Sequence, residues 1–297
     1  MSWNDLAKKS GINVSYLSAM RQGKNHVATG GKRVAIDDKW WTRLSDFMGE
    51  SKEKVYWEFV KTKEAVRILS TLEDAKAYGY TNVIVGETGC GKTYVANMFR
   101  RKHQKHTYSI TVSCLDNIAD ILDKIIEALK LKNGGKTKAT KLKNIIKYLQ
   151  KLHFNCEKPI LIFDESEYLK QAAYNVVKEL HEGVKGGICG IVLIGTSQIL
   201  ENIDRLRKSN KAGMPQLYRR VKFGIRQLPL MDVNYCNFLN GIGDKGLIRL
   251  LREHCDNYGE LHDVLVPARR EADRLGEALT ERFVRMLFGF ESYEARS

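Results

Sequence analysis

The chain has 297 residues, 49 lysines and arginines against 35 acids, a formal net charge of +14, and 43% hydrophobic residues. That is a globular composition with apolar side chains enough for a sizeable core; it excludes a disordered, collagen-like or coiled-coil chain and suggests about two domains. No apolar run reaches the roughly 18–20 residues of a membrane span. Met1-Ser2-Trp3-Asn4-Asp5 does not open a signal peptide, and the six cysteines form no Cys-x-x-Cys pair. The expectation is a reduced, cytoplasmic protein with no membrane partner and no disulfide or zinc framework.

In chain order, short helices are expected over residues 3–22 and 37–48, then a helical stretch near 51–78. From Asn4 to Lys24 the sequence has the rhythm of a helix-turn-helix. Small Ala7 permits a close crossing, Gly11 supplies a left-handed turn, and Ile12, Val14, Leu17 and Met20 make the buried side. Ser15, Tyr16, Ser18 and Arg21 then face outward from the second helix, where major-groove contacts are made. A plain helical bundle that binds protein is the competing reading, and Trp40 and Trp41 read as core in either case. Apolar, β-rich runs follow at Asn82–Val85, Thr107–Val112, Ile160–Phe163, Cys189–Ile194 and Lys222–Leu228. Helical patterns at Lys92–Lys102, Ile118–Leu131, Lys141–Leu152 and Ala172–Gly183 separate most of them. Strands alternating with helices imply an α/β fold with a parallel sheet covered on both faces. After Pro229 the strand signals stop and the remainder reads as helices. The expected division is 1–62, a helix-turn-helix domain, 63–229, an α/β domain, and 230–297, a small helical lid.

The strongest motif is Gly86-Glu87-Thr88-Gly89-Cys90-Gly91-Lys92-Thr93, a match to G-x-x-x-x-G-K-[ST]. It follows the run Val83-Ile84-Val85 and opens a helix that continues with Tyr94, the context a phosphate-binding loop requires. Glycines let the backbone turn tightly and aim its N–H groups at phosphate oxygens. Lys92 reaches the β- and γ-phosphates of ATP, and the Thr93 hydroxyl ligates Mg²⁺. Cys90 reads as a small filler.

About seventy residues on, Ile160-Leu161-Ile162-Phe163-Asp164-Glu165 reads as a buried strand that delivers two carboxylates to the sheet's C-terminal edge. Asp164 would hold Mg²⁺ through its water shell, and Glu165 would orient or deprotonate the attacking water. Thr196, just past the run Gly190–Gly195, is a candidate neighbour of the γ-phosphate, or the residue of a simple strand-ending turn. Arg219 and Arg220 are candidates for stabilising phosphoryl charge in a neighbouring subunit's site, or two solvated arginines at a helix end.

Charge is concentrated between residues 100 and 152, where thirteen basic residues meet four acids. Within it, Lys130 to Lys143 surrounds Gly134-Gly135, which suggests a flexible loop whose lysines reach outward. Few aromatics interleave, so the chemistry favours duplex phosphates over stacking on single strands. Lys136 and Lys138, with Lys132 and Lys141 behind them, are the candidates; an ordinary solvated face is the alternative.

Taken together, the phosphate loop, the Asp164-Glu165 strand, Thr196, the Arg219/Arg220 pair and the helical end resemble an AAA+ ATPase. Within that superfamily the chain resembles the phage Mu B type of DNA-transposition ATPase, also in Tyr108–Cys114 and in Leu161–Leu169. The resemblance implies a five-stranded parallel sheet, ATP and Mg²⁺ as cofactors, and double-stranded DNA inside a ring or helical filament of the protein itself. It further implies a transposase as the partner that receives target DNA. A helicase-loader type of replication protein, or a transcriptional regulator with an ATPase switch, are the alternatives. One departure stands out: where such lids carry a nucleotide-sensing arginine after Gly-x-Leu, Gly259-Glu260-Leu261 is followed by His262.

Overall fold

A computed structural model describes residues 3–29, 32–47, 54–132 and 134–290, and the chain divides into two compact units, Met1–Glu58 and Phe59–Ser297. In the first, α1 (Trp3–Ser10) ends at Gly11, which adopts φ +68°. Glycine suits that left-handed turn, and a Cβ there would also come within 2.7 Å of the Arg43 guanidinium. Asn13 accepts from the Ser15 N–H and so caps α2 (Val14–Arg21). Ile12, Leu17, Ala19, Met20, Val27 and Ile36 are buried together, with Trp40 and Trp41 half-buried against them. Val14, expected in this core, is 45% exposed.

A hairpin that the helical reading did not anticipate follows. β1 (His26–Thr29) pairs antiparallel with β2 (Lys32–Ala35), Val27 opposite Val34. Four-residue strands present too few alternating side chains to register as a period-two pattern. α3 (Asp38–Phe47) completes the described part of the unit.

In the second unit α4 (Lys63–Tyr78) begins later than the stretch near 51–78 suggested. Thr62 accepts from the Ala65 N–H and sets the start; residues 54–62 are not helical, and 51–53 lie outside the described residues. Then come β3 (Thr81–Val85), α5 (Lys92–Lys102), β4 (Thr107–Thr111), α6 (Ile118–Ala128), α7 (Lys138–Phe154) and β5 (Ile160–Asp164). α8 (Gln171–Gly183), β6 (Gly190–Gly195), α9 (Gln198–Lys208), α10 (Met214–Val221) and β7 (Ile225–Gln227) follow. The five strands form one parallel sheet in the order β4-β5-β6-β3-β7. The last is shorter than the run Lys222–Leu228, because residues 222–224 form a 3-10 turn and Gly224 sits against the Thr81 carbonyl, where a Cβ would lie 2.3 Å away.

The period of two divides the strands between two cores. Val83, Val85, Leu161, Phe163, Ile191 and Leu193 face one side with Ile121, Leu149, Tyr174 and Met214. Ile84, Ile160, Ile162, Val192 and Ile194 face the other with Ile68, Leu72, Val95 and Phe99. Burial on both faces explains why these strands read as continuous apolar runs. α11 (Lys245–His254), α12 (Tyr258–Leu275) and α13 (Glu281–Phe288) close the chain. No helix among the described residues is long and apolar enough to cross a membrane.

Candidate nucleotide site and basic surface

β6 lies between β3 and β5, so the segments leaving these three strands meet side by side at the C-terminal edge of the sheet. From β3 comes the glycine loop. Gly89 and Gly91 adopt φ +75° and +87°, conformations open to glycine. Gly91 begins α5 without a side-chain cap, leaving that helix's first N–H groups facing the loop. Lys92 folds back over the loop, its Nζ donating to the carbonyls of Gly86 (2.9 Å) and Glu87 (2.6 Å). Glu87, Thr88, Thr93 and Tyr94 are exposed, whereas Cys90 is buried in the second core. Burial pushes the Cys90 thiol up despite the Lys92 charge, so it is held as a neutral packing group.

From β5 come the two acids. Asp164 is buried and accepts from the Glu165 N–H at 3.0 Å. Glu165 is exposed and adopts φ +56°, ψ 37°, the left-handed region that a non-glycine residue enters at a cost. From β6 comes Thr196, half-buried and located between the other two by the strand order. The Gly86 N–H donates to the Gly195 carbonyl at 3.1 Å, tying the start of the loop to the end of β6. A Cβ on Gly195 would meet the Glu167 carboxylate, one oxygen of which is buried without a hydrogen-bond partner.

The helical end touches this edge in a way the sequence reading missed. Asn257 caps α12, accepting from the Glu260 N–H at 3.0 Å, and the Gly259 N–H donates to the Gly89 carbonyl at 3.2 Å. A Cβ on Gly89 would lie 2.2 Å from the Asn257 Oδ1. Gly259, in the segment where a sensing arginine was expected, thus lies on the phosphate loop, while His262 is partly exposed beside Asp263. The Asn-x-x-Glu capping signal at 257–260 was the available clue.

The arginine pair divides. Arg219 is exposed near the end of α10. Arg220 instead forms an ion pair with Glu182 of its own chain, and its Nη1 is buried.

The basic stretch divides too. Lys132, Lys136 and Lys138 are exposed. Lys141 is tied to Asp123 (2.7 Å to Oδ2) with its side chain only 17% exposed, so it does not join an outward set. Nor is Gly134-Gly135 a loose loop. A Cβ on Gly134 would lie 2.7 Å from Ile126, and the Gly134 carbonyl accepts from Asn144 at 3.3 Å. Lys138 already belongs to the first turn of α7. In the N-terminal unit, Ser15, Ser18 and Arg21 are exposed on α2. Tyr16, expected among them, is half-buried, its ring edge-on to Trp40 at 5.9 Å, because an aromatic beside a small core is drawn into it.

A parallel sheet whose first crossover carries the glycine loop, with carboxylates from the strand one place removed, has the fold of an AAA-type P-loop protein. Residues 78–203 match the family model of the AAA domain. The chain is 25% identical over 198 residues to the Mu-like prophage FluMu DNA transposition protein B of Haemophilus influenzae. That alignment covers 65% of this chain and 64% of the relative's length, just under two thirds of it. The first comparison is a likeness to the AAA domain over part of the chain, and the second a likeness to a Mu-like transposition protein B. Among solved structures, the crystal structure of Cdc6p from Pyrobaculum aerophilum aligns with a TM-score of 0.58 at 12% identity, over 76% of this chain and 66% of that one. The likeness is one of fold.

Proposed function

We propose that the chain is an ATPase that assembles as a ring or helical filament on duplex DNA, without regard to most of its sequence, and delivers that DNA to a transposase. The observation that carries this reading is the convergence of the glycine loop, Asp164-Glu165 and Thr196 on one sheet edge in a relative of a DNA transposition protein. In this reading the N–H groups of Gly86–Thr93 and the start of α5 hold the phosphates. Lys92 exchanges its two carbonyl partners for phosphate oxygens.

A hydroxyl at Thr93 and a carboxylate at Asp164 suit Mg²⁺, which keeps most of its waters and needs few protein ligands. When bound, that ion neutralises charge on the phosphates. Glu165, exposed at the edge, takes up or orients the proton of the attacking water, and Thr196 donates its hydroxyl towards the γ-phosphate. Arg219 completes the site of the next subunit. Lys132, Lys136 and Lys138 line the duplex through its phosphates, which positions the protein without reading bases. Ser15, Ser18 and Arg21 add a second DNA contact from the N-terminal unit.

Electron microscopy of the protein with duplex DNA tests the reading. Ordered assemblies are expected with a nonhydrolysable ATP analogue, and none without nucleotide or with Lys92→Ala. Assembly that persists in the absence of nucleotide refutes it.

A further inference from the structure

Glu64 stands out among the polar groups that the site has not used. It is 2% exposed, and its Oε2 is buried without a hydrogen-bond partner. A carboxylate oxygen so placed carries a desolvation cost that a donor from outside would relieve. Its position follows from the topology. α4 leads through Gly79 into β3 and packs along α5, so the start of α4 lies at the same end of the sheet as the glycine loop. Ala65, next in sequence, is buried in one cluster with Cys90 of that loop and with Leu228, and Phe59 and Met231 pack against the same cluster. The lid completes the surroundings: the Tyr258 hydroxyl accepts from the Asp232 N–H at 3.0 Å, and the next residue, Gly259, bonds to Gly89. Burial is the chief cause that raises the pKa of Cys90 and of Tyr258, and Glu64 adds a smaller push to both, consistent with its packing near loop and lid.

A nucleotide held by its phosphates on residues 86–93 must put its base beyond the loop. Beside the loop lie apolar side chains (Phe59, Leu228 and Met231) and one acceptor with no donor. A flat heterocycle with an exocyclic amino group matches both features: the ring for the apolar wall, the N–H for the carboxylate. We propose that Glu64 recognises the 6-amino group of adenine and sets the base preference of the site. The proposal rests on the phosphate-loop reading above and deepens it.

The test is competition for a fluorescent ATP analogue on the full chain with Mg²⁺, using ATP, ITP and GTP. ITP carries a 6-oxo group in place of the amine and keeps the triphosphate. A hydrogen bond to a charged group is worth roughly ten- to a hundredfold in affinity, so ATP is expected to outcompete ITP by that margin. Glu64→Ala should bring the ratio near one. Glu64→Gln, which keeps the shape and can donate as well as accept, should narrow the ratio by improving ITP; it decides the matter if the alanine variant does not fold. Equal wild-type affinity for ATP and ITP, a ratio unchanged in both variants, or a preference for GTP overturns the proposal while leaving the phosphate loop in place. Lys92→Ala separates the two: loss of every nucleotide together is expected, and unaltered binding refutes the phosphate-loop reading itself.

Discussion

Gly89→Ala tests the lock between lid and loop. Gly89 has φ +75°, and a side chain there costs about 1–2 kcal/mol for the left-handed backbone alone. The new methyl would lie 2.2 Å from the Asn257 Oδ1, so Asn257 must leave. That displaces the acceptor of the Glu260 N–H, an N-cap worth about 1 kcal/mol, and loosens the Gly259–Gly89 bond. The sum is about 3 kcal/mol, or about 6–12 °C in Tm for a unit of this size. Asn257→Gly in the same background removes the collision but leaves the backbone strain, and glycine at an N-cap costs only a few tenths of a kcal/mol. The double variant should therefore recover about 1–2 kcal/mol, visible as non-additivity in a thermal double-mutant cycle and as restored hydrogen-exchange protection at the start of α12. If the two substitutions add to within about 0.3 kcal/mol, lid and loop are not in contact there and the reasoning fails.

Arg219→Ala should abolish DNA-stimulated turnover with an unchanged Tm. Arg220→Ala should lower Tm slightly, through loss of its ion pair with Glu182, and spare turnover; the reverse pattern in the ATPase assay exchanges their roles. Lys136→Ala with Lys138→Ala should make the log–log salt dependence of duplex binding shallower by about 1.8, two phosphates at about 0.9 each. Lys141→Ala, already paired with Asp123, should leave that slope in place in the same titration. His181 and His103 are both held below the ordinary imidazole pKa, chiefly by burial, with the Arg220 charge adding at the first and Lys102 at the second. The unfolded chain therefore binds more protons than the folded one just below pH 6.5, so stability should fall as pH drops through that region and His181→Gln should flatten the decline in Tm between pH 7 and 5.5.

Features that depend on one side chain or one strand were legible in the sequence. The glycine loop, the buried strand ending at Asp164-Glu165, and the alternation of strands with helices all announce themselves through local pattern. What escaped depends on partners distant in the chain. Lys141 looks like any lysine of its run until Asp123 on the neighbouring helix is brought beside it, and Arg220 looks like Arg219 until Glu182 is. Gly134 reads as part of a flexible loop, yet a Cβ there would come against the Ile126 side chain. Glu64 carries no motif at all; only its burial marks it out.

Glu165 has a consequence for how the chain would change under selection. Its backbone rests in a conformation that glycine adopts freely, so exchanging the side chain for hydrogen would relieve roughly 1 kcal/mol at that turn. A library sorted for heat resistance alone should drift towards glycine at position 165 and lose its carboxylate at the sheet edge. Robustness and reactivity thus pull in opposite directions at this residue, and thermostable variants should be sought with position 165 held constant.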